Sequence, residues 1–595
     1  MTMISLFDQL SDLALIEIFS YLSCADALWS FSNLNSRLIT LLTERGFYRH
    51  VNLSSTGRKR FAAIFSILRL NEIQSLVIDR CTSPLQLKRW PHLPHLTTLR
   101  LQGVRNFREV FILIRKHANT LIHLTVESSR YFYAGGMTRE VAYPIWRLCE
   151  FLEKTLCRLP TLQSIDLGME TSFCLHKWPF KMIQAPLIYL KISLGRTYLL
   201  IDILSTKPLS STLQQLHIKI LDFCGDIDFS LRKKDFLPRM ESLHTFTFVK
   251  SLKWHSSEEW TFVNVLTTSK VMPVLRRMNF SIVIDVNNLN QMAHSALFHD
   301  DRHIDVHYVF MINDNRQHFE LSQYVPHGSL SHPRQIASAT FISECWTVDP
   351  KIRNHDEIYL EKPRNRQHLF YTLPWIFDEF FQLCVPDRYI SELQVFTSAS
   401  SVNTVGPSRL RKLNISNNHT SLATSFPHII SSNQVAELHL SRCDRQTSVT
   451  LPTFDYLIIT DSLDALNSYL FSRNIQSIEI TLNHEHLHLA RNDWNDLPTL
   501  STLPFLKSLR ILLYGMNIPP NDTSCQIIAE TASKISDFCF CFRRKDYQNR
   551  RNFDSAHIQQ SLFIKQLRNN ILALPLNEKS QIVVEKDGYG LIAWF

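Results

Sequence analysis

Only 13 of the 595 residues are glycine, and that scarcity excludes much of the usual nucleotide chemistry. Phosphate-cradling loops need glycine where backbone approaches an anion closely, and neither GxGxxG nor GxxxxGK followed by Ser or Thr occurs. The 12 cysteines form no CxxC pair, so a zinc ribbon or a thioredoxin-like site is not expected. The nucleophile elbow G-x-S-x-G is absent. No run approaches the roughly 20 apolar residues that cross a bilayer, so no membrane partner is expected. The amino terminus has neither a basic region nor an apolar core of signal type. The expected location is therefore cytoplasmic, nuclear or both, with reduced thiols and sequons at Asn414 and Asn418 that are never used.

What is present is ordinary globular material, 45% hydrophobic and 20% charged, with 38 phenylalanines. A chain this long exceeds one compact core, so several domains or one elongated array are expected. The net charge of +9 is spread over short clusters, Arg58-Lys59-Arg60, Arg232-Lys233-Lys234 and Arg543-Arg544-Lys545. Such clusters read as solvated surface, and no nucleic-acid partner is expected.

Residues 10–42 predict a helical hairpin. Leu13, Leu15, Ile16, Ile18, Phe19 and Leu22 leave the first helix apolar nearly all round, so it needs covering on more than one side. A partner protein is the natural second cover. Ser23-Cys24-Ala25-Asp26 has the form of a capping box, ending one helix at Leu22 and starting another that carries Leu28, Phe31 and Leu34.

The run built from Leu10, Leu13, Glu17, Ile18, Phe19, Ser20, Tyr21, Leu22, Ser23, Asp26 and Leu28 resembles the F-box over roughly residues 6–45. Ser11 stands where that family has proline, and Leu38 where it tends to have tryptophan. The resemblance implies docking on a Skp-family adaptor of a cullin–RING ubiquitin ligase. Its partner-facing residues would be Leu10, Leu13, Ile16, Phe19, Leu22, Asp26 and Leu28.

Beyond the head, apolar-x-x-apolar-x-apolar recurs with polar fillers: Leu96-Leu99-Leu101, Leu162-Ile165-Leu167, Leu213-Leu216-Ile218, Leu243-Phe246-Phe248 and Leu275-Met278-Phe280. It returns as Ile390-Leu393-Val395, Leu410-Leu413-Ile415, Ile475-Ile478-Ile480 and Leu506-Leu509-Ile511, with looser copies centred on Val51, Leu76, Leu124, Leu190, Leu438 and Leu457. Centres at 51, 76, 99 and 124 step by 25, 23 and 25 residues, inside a leucine-rich period. Each copy reads as a strand with one buried face. Between them run helical stripes, Phe61, Ile64, Phe65 and Leu68, then Phe107, Val110, Phe111 and Ile114, then Ile145, Trp146, Cys149 and Leu152. Strand and helix alternate, and neither can bury its apolar face alone, which is the condition for a stacked array. Cys81, Asn418 and Cys443 fall three residues after the last apolar strand position, which is similar to the leucine-rich repeats that accompany F-boxes.

The expected fold class is α/β: a small all-α F-box-like head, then a leucine-rich-repeat horseshoe of parallel strands and outer helices. The expected divisions are 1–45 for the head, 46–284 and 389–515 for repeats, 285–388 for divergent repeats or an insertion, and 516–595 for a closing helix and hairpin. Within 285–388, Val306–Met311 and Ala339–Phe341 read as divergent strands, and 359–385 as an insertion or helical excursion. Asp587-Gly588 between apolar runs signals the hairpin. The polar fillers Gln163, Asp166, Gln214, His217, Arg276 and Glu479 are the candidate contacts for a substrate protein.

The chain is expected to be no enzyme. His484, His486 and His488 would share one strand face, but no fourth ligand is committed nearby, so no metal or cofactor is expected. Glu258-Glu259 follows Ser256 with capping spacing, and Asp300-Asp301 has no evident partner. The expected function is a substrate-recognition adaptor for a ubiquitin ligase. The alternative is a leucine-rich binding scaffold unconnected to ubiquitin; a hydrolase or metal site comes third.

Overall fold

The computed structural model describes residues 10–313 without 23, 33, 55, 57, 80–86, 105–106, 129–141, 170–172, 179, 222–236, 251–258 and 285. Beyond 313 it describes 328–329, 331–344, 346–347, 360–361, 365–374, 376–377, 379–380, 389–397, 412–416, 437–441, 454, 456–460, 475–483, 497–498, 500, 502–514, 522–535, 537–543, 553–574, 581–584 and 590–594. The chain divides into two compact units, one of Met1–Tyr133, Arg139–Ile218 and Met240–Leu243, the other of the remainder. Both are mixed α/β with mostly parallel sheet.

The first unit opens with three short helices, α1 (Asp12–Ser20), α2 (Cys24–Phe31) and α3 (Ser36–Glu44). Asn35 starts α3 by accepting the Leu38 amide at 2.8 Å, which forces a break after Phe31. Leu34 therefore lies outside α2 and exposed, correcting its expected place on that helix. Ser23, the expected corner cap, is outside the described residues. The head packs through α2 on β1 (His50–Asn52) and α4 (Arg58–Ile67).

From β1 the strands run β2 (Ser75–Asp79), β3 (Thr98–Val104), β4 (His123–Ser128), β5 (Ser164–Asp166) and, past the short β6 (Cys174–Leu175), β7 (Tyr189–Leu194) and β8 (Gln215–Ile220). β1 to β5 and β7 pair in parallel, and Val51, Leu76, Leu99, Leu124, Ile165 and Leu190 stand side by side in register. All six are buried, each contributing about 1.5–3 kcal/mol by leaving water. The centres expected from spacing alone are thus lateral neighbours.

A second regularity is in the backbone. Before each strand two successive amides share one carbonyl of the preceding turn: Gln74 and Ser75 on Arg49, Thr97 and Thr98 on Gln74, Ile122 and His123 on Thr97. Gln163 and Ser164 on Ile122, Ile188 and Tyr189 on Gln163, and Gln214 and Gln215 on Ile188 continue it. Each turn thereby satisfies the backbone groups its bend removes from the ladder. The helical stripes fall on α4, α5 (Phe107–Arg115) and α6 (Ala142–Arg158), with Phe61, Ile64, Phe107, Val110, Ile114 and Leu152 buried. A further helix, α7 (Tyr198–Leu204), follows β7.

The second unit holds β9 (Thr245–Lys250), α8 (Glu259–Leu266), β10 (Arg277–Ile284) and β11 (Asp305–Asn313), whose strands are parallel with Phe246, Met278 and Val306 in register. Val306–Met311 is therefore strand, as expected, and the parallel pairing continues past 284. β12 (Gln335–Glu344), β13 (Asn365–Leu373) and β14 (Tyr389–Thr397) then pair antiparallel in the order β11, β13, β12, β14. The stretch around 365–373, expected as an insertion or a helical excursion, is strand and not helix. Ile390-Leu393-Val395 is an antiparallel strand, which corrects its expected place as a parallel repeat. β-branched and aromatic residues placed every second position satisfy either pairing, so the pattern could not separate them.

A separate sheet of the same unit holds β15 (Lys412–Ser416), β16 (Glu437–Ser441), β17 (Tyr456–Thr460), β18 (Ser477–Asn483), β19 (Ser508–Tyr514) and β20 (Asp537–Arg543), all parallel, with Leu413, Leu438, Leu457, Ile478, Leu509 and Phe538 in register. α9 (Asp522–Ala532) precedes β20, and α10 (Phe553–Ala573) lies where the closing helix was expected. The hairpin β21 (Gln581–Val584) and β22 (Gly590–Trp594) pairs antiparallel, with β22 on β20. Its turn, Asp587-Gly588, lies outside the described residues, as do Cys81, Asn418 and Cys443. Among the described residues no helix is long and apolar enough to cross a membrane.

Candidate docking surfaces

The head is filled from inside by its own side chains. Leu15, Phe19, Ala25, Ala27, Leu28 and Phe31 are buried, with Phe19 edge-on to Phe31 at 5.1 Å and to Phe47 at 6.1 Å. Ser11 is the cap of α1: its hydroxyl accepts the Ala14 amide at 3.2 Å. Arg37 clasps the same end, its Nε donating to Asp12 at 2.8 Å and its Nη2 to the Leu10 carbonyl at 2.6 Å.

What the interior does not use faces out. Leu13 is 78% exposed and Tyr21 80%, on one side of α1 at i and i+8 with Glu17 between them. The Tyr21 hydroxyl donates to Glu17 at 2.9 Å, which holds the stripe in place. Trp29 and Leu34 are also exposed, so four of the large exposed apolar side chains fall within 22 residues.

Of the seven residues expected to face a partner, Leu13 is exposed, and Leu10, Ile16, Leu22 and Asp26 are half-buried. Phe19 and Leu28 are fully enclosed and cannot touch a partner while the head is folded, which corrects their expected role. The resemblance to the F-box implied contact for them, yet the helical spacing already marked them as the inward ridge. Tyr21, Trp29 and Leu34 were missed as surface. Apolar residues one step off the Leu15–Phe19 ridge were the available signal.

The second candidate is the strand face opposite the helices. In the first unit it is half-open. Gln163 and Gln214 sit on the turns before β5 and β8, and Asp166 and His217 on the strands themselves. The His217 ring lies 5.1 Å from that of Tyr189, and Arg100 Nε donates to Glu127 at 2.8 Å. Asp166 has a structural task as well: it accepts the Gly168 amide at 2.7 Å where Gly168 turns the chain at φ +71°. Arg276 is exposed on the turn before β10, and Glu479 lies on β18 in the other sheet. Glu479 is buried and accepts the Tyr456 hydroxyl at 2.9 Å, so it is no open contact. The structure thus brings four of the six fillers to one unit and removes one into the interior.

Burial raises the thiols of Cys24, Cys149 and Cys174, and pushes Cys525 up to about 12, the opposite of an activated nucleophile. Burial also pushes the Asp305 carboxyl up, but His307 and Arg334 beside it outweigh that and hold it below the usual carboxylate range. Burial pushes the His307 pKa down, and the Arg334 guanidinium pairs with Asp305. Asp300 gains the partner the sequence did not show: Arg302 Nε donates to it at 2.6 Å while the same guanidinium holds the Met272 and Thr267 carbonyls. Among the described residues no group of three His, Cys, Asp or Glu could hold a metal ion, and His484, His486 and His488 lie outside them, as does Glu258.

No protein-family model matches the chain, and no curated protein matches it either.

Proposed function

We propose that this chain is a non-enzymatic adaptor whose F-box-like head docks on a Skp-family adaptor of a cullin–RING ubiquitin ligase and whose leucine-rich horseshoe holds a substrate protein. The observation that carries the reading is the stripe of Leu13, Glu17 and Tyr21 on a head whose interior is already full. An apolar stripe of this kind on a helix is what a partner's groove receives. The recurring turn, with two amides on one carbonyl, and the lateral register of the strand centres support the solenoid. The substrate surface is then the half-open face with Gln163, Asp166, Gln214 and His217. Its chemistry is proximity: a substrate held near a charged ubiquitin carrier reacts in a nearly unimolecular step. Such a chain works in the cytoplasm or nucleus, where its partners are.

The test is capture of purified full-length chain by a Skp-family adaptor. Wild type binds, and Leu13→Asp loses binding with an unchanged melting temperature, because Leu13 contributes almost nothing to the head's interior. Absence of wild-type binding would sink the ligase reading and leave a protein-binding scaffold with a helical cap.

A further inference from the structure

Of the 11 large apolar side chains exposed among the described residues, Leu13, Tyr21, Trp29 and Leu34 lie on the head and Ile558, Leu562 and Leu572 on α10. The two groups are built alike and charged oppositely. On α10, Phe563, Ile564, Leu567 and Ile571 are buried, while Ile558 and Leu562 are 58% exposed and Leu572 50%. At about 100° per residue, Ile558, Leu562, Lys565, Asn569 and Leu572 fall within roughly 80° of arc, so they form one outward stripe. Lys565 and the neighbouring Arg568 are exposed, with no ion pair among the described residues. After Asp554 the helix has no acidic residue. On the head, the stripe of Leu13, Glu17 and Tyr21 is acidic at its centre. Asp12 is paired with Arg37, whereas the exposed Glu17 accepts the Tyr21 hydroxyl and has no cation beside it among the described residues.

We propose that the α10 stripe of one copy seats on the head stripe of a second copy, head to tail. Each stripe is apolar at both ends and charged between them, so the two match in charge and in spacing. Along a helix, Leu13 and Tyr21 stand about 6 Å on either side of Glu17, and Leu562 and Leu572 about 4.5 and 10 Å on either side of Lys565. With Glu17 set on Lys565, apolar side chains meet apolar side chains at both ends. Like stripes do not match: two heads would set Glu17 against Glu17, and two α10 faces Lys565 against Lys565. The charges therefore select unlike pairing over a two-fold dimer through either stripe. Such a contact is heterologous and leaves one free stripe at each end. A few side chains on each side bury less than a standard interface, so the association is weak and grows with concentration. Seated α10 covers Leu13 and Tyr21 and so competes with the adaptor; that consequence rests on the function proposed above, while the contact itself does not.

The experiment is sedimentation and light scattering of the full chain, with no adaptor present. Wild type is expected to associate progressively as its concentration rises. Leu13→Asp and Leu562→Asp each remove one stripe, and each alone is a monomer with an unchanged circular-dichroism spectrum, since both side chains are exposed. Mixed together, the two variants keep one intact stripe apiece and form a dimer of one of each that grows no further. Glu17→Lys sets lysine against lysine and raises the dissociation constant about tenfold. Adding Lys565→Glu to that variant restores opposite charges and the association. A monomeric wild type at its highest soluble concentration overturns the proposal. So does a mixture of the two aspartate variants that stays monomeric, or a charge exchange that fails to restore association.

Discussion

The strands of the first unit and those of the second share one hydrophobic pattern and differ in what becomes of the other face. In β2, Leu76 and Ile78 are buried while Ser75, Val77 and Asp79 stay half-open. In β9 and β10 the alternation is just as clear in sequence, yet Thr247, Asn279 and Ser281 are buried along with the apolar residues, as is His307 on β11. Once enclosed, these groups must find partners in the protein. Asn279 does, donating to Thr247 at 2.9 Å, and so does Glu479 with Tyr456. A polar filler in a strand is therefore evidence for a second face, and burial alone decides whether that face is a surface or a second interior. For docking, Gln163, Asp166 and His217 are half-open and Gln214 exposed, which leaves this face of the first unit available.

The largest effect should come from placing the same charge on both faces. The Ser281 hydroxyl is enclosed and has no hydrogen-bond partner among the described residues, so Ser281→Asp buries a carboxylate with nothing to pair it. The expected loss is about 3–5 kcal/mol, the cost of an uncompensated buried charge. Ser75→Asp, on the half-open face of β2, should cost less than about 1 kcal/mol. Urea unfolding midpoints measure both, and equal losses would erase the distinction between the two units.

Burial of a titratable group occurs in the first unit too, on its helical side, and should appear as pH dependence. His117 follows α5, its Nδ1 3.2 Å from the Leu93 carbonyl and its ring stacked on His92 at 5.3 Å. Burial, helped by the neighbouring His92, pushes its pKa down to about 4. Between pH ~6.5 and ~4 the unfolded chain takes up this proton and the folded chain does not. Stability is then complete above the unfolded pKa and falls as the pH drops, by roughly 1 kcal/mol per pH unit, levelling below the folded pKa. His117→Gln should flatten the wild-type slope in that window; an unchanged slope would mean the ring takes its proton in the folded state.

Two candidate contacts that looked alike in sequence separate in a third comparison. Glu479→Ala removes the acceptor of the Tyr456 hydroxyl inside the second unit and should cost about 1–2 kcal/mol. Gln214→Ala, on an exposed turn of the first unit, should stay within about 0.5 kcal/mol and act only on substrate capture. Thermal unfolding of the two variants distinguishes them, and a destabilised Gln214 variant would remove it from the docking surface.

Much of the architecture was legible because it depends on period. Val51, Leu76, Leu99 and Leu124 were placed by spacing and turn out to be lateral neighbours, since a parallel ladder converts equal spacing into register. The antiparallel group of β12, β13 and β14 was not legible, because Leu393 alternates with polar residues in the same way whichever direction its neighbour runs. Of the residues expected on a partner face, Leu13 is exposed and Phe19 enclosed, because motif position says which residues matter and only the packed helix says which way each one points. Glu479 shows the same gap on a strand, where polarity was read as exposure.

Ser11 offers the finest test, at an open polar position of the head rather than of a strand. The F-box has proline there, and the backbone at Ser11, with φ −65° and ψ 156°, is already the one proline adopts. Ser11→Pro loses the bond that caps the Ala14 amide, worth about 1 kcal/mol when a cap is removed. It gains a similar amount, roughly 0.4–1 kcal/mol, by stiffening the unfolded chain. The carbonyl that receives the Leu15 amide is untouched. The two effects should cancel to within about 0.5 kcal/mol, measured by thermal unfolding, with adaptor capture kept or strengthened. A loss well above 1 kcal/mol would mean that the serine cap, rather than the Arg37 clasp, secures the start of α1 in a way proline cannot replace.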